Sequence, residues 1–298
     1  MALPAALGRR GLLAPLLAAP ALVAARPARA ALPPGSHRVE FAETCGVAPG
    51  PMAVYLHRPA AWRPDGPIAA VMHGVQRNAD GYRDAWVAHA EALGLLLVCP
   101  CYDAARFPGD RWYNFGNAVD AEGRPQPPAA WSFAALDHAV DAARRACGAE
   151  REDFALYGHS AGAQFVHRYL LLTHAPRVSR LIVANSGWYS MPRWDVAFPY
   201  GLGGTGATEA GLAAALGRPV TILLGEEDRD PQHPQLRRDA GSDAQGTNRF
   251  DRGHAFFAAA QAAAARLQAP FAWQLRTVPG VAHSNAGMAR AAAPLLLG

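Results

Sequence analysis

The chain has 298 residues, about half of them hydrophobic and 17% charged, which suits one large core and excludes a disordered chain. All 28 basic residues are arginine, so a phosphate-binding loop ending in Gly-Lys and any lysine Schiff base are excluded. The formal charge of +4 rests on Arg9, Arg10, Arg26 and Arg29, which no nearby acid balances; the remainder is neutral, a poor match for nucleic acid.

Residues 1–30 read as an export signal. Arg9-Arg10 precede the apolar run Gly11 to Ala25, and Ala28-Arg29-Ala30 offers small residues for cleavage. Arg9-Arg10 followed by Gly11-Leu12-Leu13 resembles a twin-arginine signal, although an ordinary secretory signal has the same build. An uncut anchor fits less well, because Pro15 and Pro20 interrupt a run already short for a span. The expected mature protein, residues 31–298, is one domain in the periplasm or outside the cell, with no stable membrane span. Export would put Cys45, Cys99, Cys101 and Cys147 in an oxidising compartment, where their pairing is open. Cys99-Pro100-Cys101 lacks the spacing and partners of a metal site.

The mature chain alternates short apolar runs with longer amphipathic ones. Strands are predicted at Met52–His57, Ile68–His73, Leu95–Cys99, Asp153–Tyr157, Leu181–Ala184, Val220–Gly225 and Trp273–Val278. Helices are predicted at Gly81–Leu93, Trp131–Cys147, Ala161–Thr173 and Phe256–Leu267. This alternation predicts an α/β fold, a mostly parallel sheet with helices on both faces, whose site lies beyond the carboxyl ends of the strands. Residues 102–130 and 187–208 break the alternation with prolines, glycines and aromatics. Such loops serve as lids or pocket walls, or plug the core from outside.

Gly158-His159-Ser160-Ala161-Gly162 lies between a predicted strand and a predicted helix, the context that G-x-S-x-G requires. A serine in a sharp strand-to-helix turn is exposed for attack, and the glycines flanking it allow the two backbones to approach. The base and acid should follow in the order acid, then histidine. Asp228 follows the strand Val220–Gly225, with Glu226, Glu227 and Asp230 as rivals. His283 follows the strand Trp273–Val278. The N–H groups of Ala161 and Val75, the latter just after His73-Gly74, are the expected oxyanion donors. His73, Gln76, Trp188 and Tyr189 are the candidate pocket residues.

Together these pieces resemble the α/β-hydrolase superfamily over nearly the whole mature chain. Val71-Met72-His73-Gly74 and the Ser160 motif are similar to those of secreted bacterial esterases related to polyhydroxyalkanoate depolymerases and feruloyl esterases. The following Val75-Gln76-Arg77-Asn78 departs from that pattern, which leaves the substrate open. The resemblance implies ester hydrolysis through an acyl-enzyme, with Ser160 as nucleophile, His283 as base and Asp228 as its orienting acid, and no metal or organic cofactor. Peptidase, thioesterase or acyltransferase chemistry on the same residues, or a binding protein that kept the fold, are the alternatives. No separate binding module is evident, so the expected partner is a small or short oligomeric ester.

Overall fold

The computed structural model describes residues 1–2 and 31–297, so the signal predicted at residues 1–30 lies, but for its first two residues, outside the described residues. Among the described residues no helix is long and apolar enough to cross a membrane. Eight strands form one sheet: β1 (Gly35–Glu43), β2 (Gly50–Arg58), β3 (Ile68–Met72), β4 (Leu96–Pro100), β5 (Phe154–His159), β6 (Val178–Ala184), β7 (Val220–Gly225) and β8 (Trp273–Val278). Their order is β1-β2-β4-β3-β5-β6-β7-β8. β2 is antiparallel to both neighbours, and every other pair is parallel. This is the predicted architecture.

The inner strands β3, β4, β5 and β7 are buried along their whole length, as continuous apolar runs covered on both faces should be. Alternate side chains feed two cores. In β3, Ile68, Ala70 and Met72 enter one, while Ala69 and Val71 enter the other. The helices are α1 (Ala79–Leu93), α2 (Gly109–Trp112), α3 (Ala134–Cys147), α4 (Ala161–Thr173), α5 (Glu209–Leu216), α6 (Ala240–Asp243), α7 (Arg249–Leu267) and α8 (Asn285–Ala292).

Two differences from the predicted elements have clear causes. β1 was not predicted, because an edge strand with one wet face alternates exposed and half-buried residues and carries Arg38 and Glu40. α7 starts at Arg249 rather than Phe256. Its cap is Asn248, whose side chain accepts from the Asp251 N–H at 2.9 Å, and its polar first turns read as loop in the sequence.

The aromatics of residues 102–130 and 187–208 mostly plug the core. Tyr102, Phe107, Tyr113 and Tyr189 are at most 1% exposed, and Tyr102 and Tyr113 pack on Phe165 of α4 with ring centroids 5.2 and 5.7 Å apart. All four cysteines are free thiols.

Candidate active site

β5 passes into α4 through Ser160, whose φ of 57° and ψ of −119° are strained for a residue with a side chain. Two close approaches hold this turn. A Cβ on Gly158 would lie 2.3 Å from the Gly162 carbonyl oxygen, and one on Gly162 would lie 2.2 Å from that of Met72 at the end of β3. Neither contact could be relieved without parting α4 from β5 in the first case or from β3 in the second. Glycine at 158 and 162 is therefore a packing requirement.

The structure brings Ser160, His283 and Asp228 into one hydrogen-bonded chain. The Ser160 hydroxyl lies 3.0 Å from His283 Nε2, and His283 Nδ1 donates to Asp228 Oδ2 at 2.7 Å. A carboxylate can only accept, which sets the imidazole tautomer with Nε2 free to receive the hydroxyl proton. Asp228 is 3% exposed. The alternatives point elsewhere: Glu226 accepts from the Thr277 hydroxyl at 2.7 Å, while Glu227 and Asp230 are exposed.

Three neighbours fix this chain. Arg249, 1% exposed, donates to Asp228 Oδ1 at 3.2 Å, and its other amino group donates to His233 Nδ1 at 3.2 Å. Asn185, at the end of β6, accepts from the Gly225 N–H at 2.7 Å and donates to the Ala282 carbonyl at 3.1 Å. It thus ties the loop carrying Asp228 to the loop carrying His283. Ser284, next to His283, caps α8 by accepting from the Gly287 N–H at 3.2 Å. His159 packs its ring against His283, with centroids 4.7 Å apart. Burial, then the neighbouring His283 and Arg249, drive its pKa well below the usual histidine value, so it stays neutral.

The N–H groups of Val75 and Ala161 donate to no protein acceptor among the described residues. Both residues line a cleft of about 360 Å³ together with Ser160, Asp110, Asn114, Gln164, Gly187, Trp188 and the loop Pro234–Arg237. Of the four predicted pocket residues, only Trp188 lines this cleft. His73 is fully buried beneath it: Nδ1 donates to the Gly74 carbonyl, Nε2 accepts from the Tyr102 N–H, and the His73 carbonyl accepts from the Tyr113 hydroxyl. Burial lowers its pKa to about 4. Its work is to brace the Gly74-Val75 turn. Gln76 is exposed and outside the cleft wall, because the turn directs it to solvent. Tyr189 is fully buried against Phe256, with ring centroids 4.4 Å apart.

Away from the cleft, Glu43, Cys45 and His138 offer ligand atoms within 4.8 Å of one another. They suit a metal poorly. Glu43 already accepts from the Thr44 and Cys45 N–H groups and from His138, and burial pushes the Cys45 thiol up to about 12, keeping it protonated.

Asn185, Arg249, Gln164 and Asn114 went unnoticed in the sequence. Asn185 sits at a strand end, where inspection could have found it. Arg249 and Gln164 reach the site from helices and carry no local signature.

No protein-family model matches the chain, and no curated protein does. Solved structures do match. Poly(aspartic acid) hydrolase-1 from Sphingomonas sp. KT-1 is 42% identical over 90% of this chain and 100% of its own, with a TM-score of 0.85. The poly(3-hydroxybutyrate) depolymerase LpqC from Bordetella parapertussis is 38% identical over 88% of this chain and 89% of its own, with a TM-score of 0.82. An S-formylglutathione hydrolase from Agrobacterium tumefaciens, 15% identical with a TM-score of 0.55 over 88% of this chain and 94% of its own, shares the fold. With two relatives of such identity along most of its length, the chain belongs to the α/β-hydrolase family that includes poly(aspartic acid) hydrolase-1 and LpqC.

Proposed function

We propose that the chain is a serine hydrolase that cleaves a carboxylic ester through an acyl-enzyme. The observation that carries this reading is the contact chain from Asp228 through His283 to Ser160, with Ser160 held in a strained turn beside the cleft. His283 Nε2 takes the hydroxyl proton as Ser160 Oγ bonds to the substrate carbonyl carbon, and Asp228 stabilises the imidazolium that forms. The N–H groups of Ala161, at the start of α4, and Val75 donate to the oxyanion. The C–O bond then breaks, and His283 returns its proton to the departing alcohol. Water, activated by the same imidazole, repeats the attack and releases the acid. Likeness to LpqC supports an ester. Likeness to a poly(aspartic acid) hydrolase favours a second reading, amide cleavage, in which the C–N bond breaks and His283 gives its proton to the departing amine. We also propose export, on the strength of the sequence of residues 1–30.

The test is fluorophosphonate labelling with peptide mapping, beside turnover of p-nitrophenyl butyrate. Labelling at Ser160 and turnover, both lost in Ser160→Ala, are expected. A folded wild type that neither labels nor turns over would overturn the reading.

A further inference from the structure

Gln164 lies one turn along α4 from Ser160, is 8% exposed and forms part of the cleft wall. Its amide is oriented from behind. Arg168, fully buried, points Nη1 at Gln164 Oε1 from 3.4 Å, and Asn114 Nδ2 donates to the same oxygen at 2.7 Å. A guanidinium can only donate, so the amide oxygen must face it. Nε2 is thereby turned to the opposite side, toward Gly187, where a Cβ would come within 2.9 Å of it. Gly187 is also part of the cleft wall. Among the described residues, Gln164 Nε2 donates to no protein acceptor, although the side chain is more than nine-tenths buried.

The cation behind it is unusual. Arg168 forms no ion pair among the described residues. It is boxed by Trp188, Phe115 and Phe198, with its guanidinium carbon 4.2, 5.0 and 6.0 Å from their ring centroids, and its Nη2 has no partner. With no carboxylate in contact and only Asp110 of the cleft wall acting on it from a distance, its positive potential is only partly cancelled. That potential polarises the Gln164 amide, making its outward N–H a stronger donor toward an oxygen, above all an anionic one.

Resting on the serine-hydrolase reading, we propose that Gln164 is a specificity-determining residue that donates from Nε2 to a second carbonyl or carboxylate oxygen on the acyl unit of the substrate. The acyl side follows from the geometry. The leaving group departs toward the imidazole that protonates it, and His283 is not part of this cleft's wall, so the cleft receives the half that stays on Ser160. An acyl chain lacking that oxygen would cover the donor without pairing it, the arrangement by which sites discriminate most strongly.

The experiment compares kcat/KM for three p-nitrophenyl esters with four-carbon acyl chains: butyrate, methyl succinate and hemisuccinate. The wild type should prefer hemisuccinate over methyl succinate and both over butyrate. The gap between first and last should be roughly ten- to hundredfold, the size of one hydrogen bond to a charged group. In Gln164→Leu the three values should converge. Gln164→Glu, which keeps a partner for Arg168 and so preserves packing, should invert the order by presenting an acceptor instead of a donor. Equal rates on the three esters in the wild type, or a preference surviving both substitutions, would overturn the assignment while leaving the serine hydrolase intact. No turnover of any ester and no fluorophosphonate label would overturn both.

Discussion

Removing the Asn185 side chain tests whether the acid and base loops are held as one unit. In Asn185→Gly both hydrogen bonds, 2.7 Å from Gly225 N–H and 3.1 Å to the Ala282 carbonyl, disappear. Each contributes ~1 kcal/mol net, and the buried Gly225 N–H left without an acceptor adds a penalty of ~1–3 kcal/mol. The expected loss of stability is thus about 4 kcal/mol, read as a lower urea midpoint. Glycine is the right replacement because residue 185 has a φ of 45°, a left-handed conformation that would cost alanine ~1 kcal/mol more. Asn185→Ala should therefore be the less stable of the two. With the loops untied, His283 and Asp228 lose their registration on Ser160, and a misplacement of ~1 Å lowers kcat/KM about 100-fold. Asn185→Asp separates the halves. It still accepts from Gly225 but sets lone pairs against the Ala282 carbonyl, so stability should be intermediate while kcat/KM falls nearly as far. An Asn185→Gly protein with wild-type midpoint and wild-type kcat/KM would refute the reasoning.

Asp228→Asn should lower kcat/KM on p-nitrophenyl butyrate by ~10⁴, since the imidazole then settles in the wrong tautomer. Glu227→Gln, altering an exposed side chain, should change it little; the reverse ranking would reassign the acid. Stability should fall early in acid, because His73, His159 and His167 are buried with depressed pKa values, to about 4 for His73. Their stabilisation is complete above the unfolded value near 6.5 and is lost as pH falls from there toward 4, because the unfolded chain binds protons that the folded one refuses. At pH 5.5 His73 alone should cost roughly 1–2 kcal/mol, and His159 and His167 add to the loss in the same direction. A melting temperature unchanged between pH 7.5 and 5.5 would contradict this.

The part of the molecule legible in the sequence is the part governed by local rules. β7 and β8 begin and end where their apolar runs do, and α4 spans Ala161–Thr173 as predicted. Ser160, Asp228 and His283 were picked out because each follows a strand, and chain order assigned their candidate roles. What escaped was set by distant partners. His73 resembled a pocket residue until Tyr102 and Tyr113 from the next segment were seen to take both its ring nitrogen and its carbonyl. Arg168, in a predicted helix, and Arg249, in a segment that reads as loop, escaped because nothing in their neighbourhoods reveals that both are buried. Aromatic content alone could not tell Trp188, in the cleft wall, from Tyr189, which faces the core.

Ser160, Asn185, Asp228 and His283 issue from β5, β6, β7 and β8, four strands that are consecutive in the chain as well as adjacent in the sheet. The half of the molecule that carries Ser160, Asp228 and His283 is therefore also the half synthesised last. A nascent chain can complete β1 to β4 and even present the Ser160 turn while lacking both its acid and its base. On the proposed roles, reactivity would arrive only once residue 283 has emerged and α8 has buried Met288, Ala289 and Ala292. On those same roles, a copy truncated before residue 283 would carry the Ser160 turn without the base that activates it.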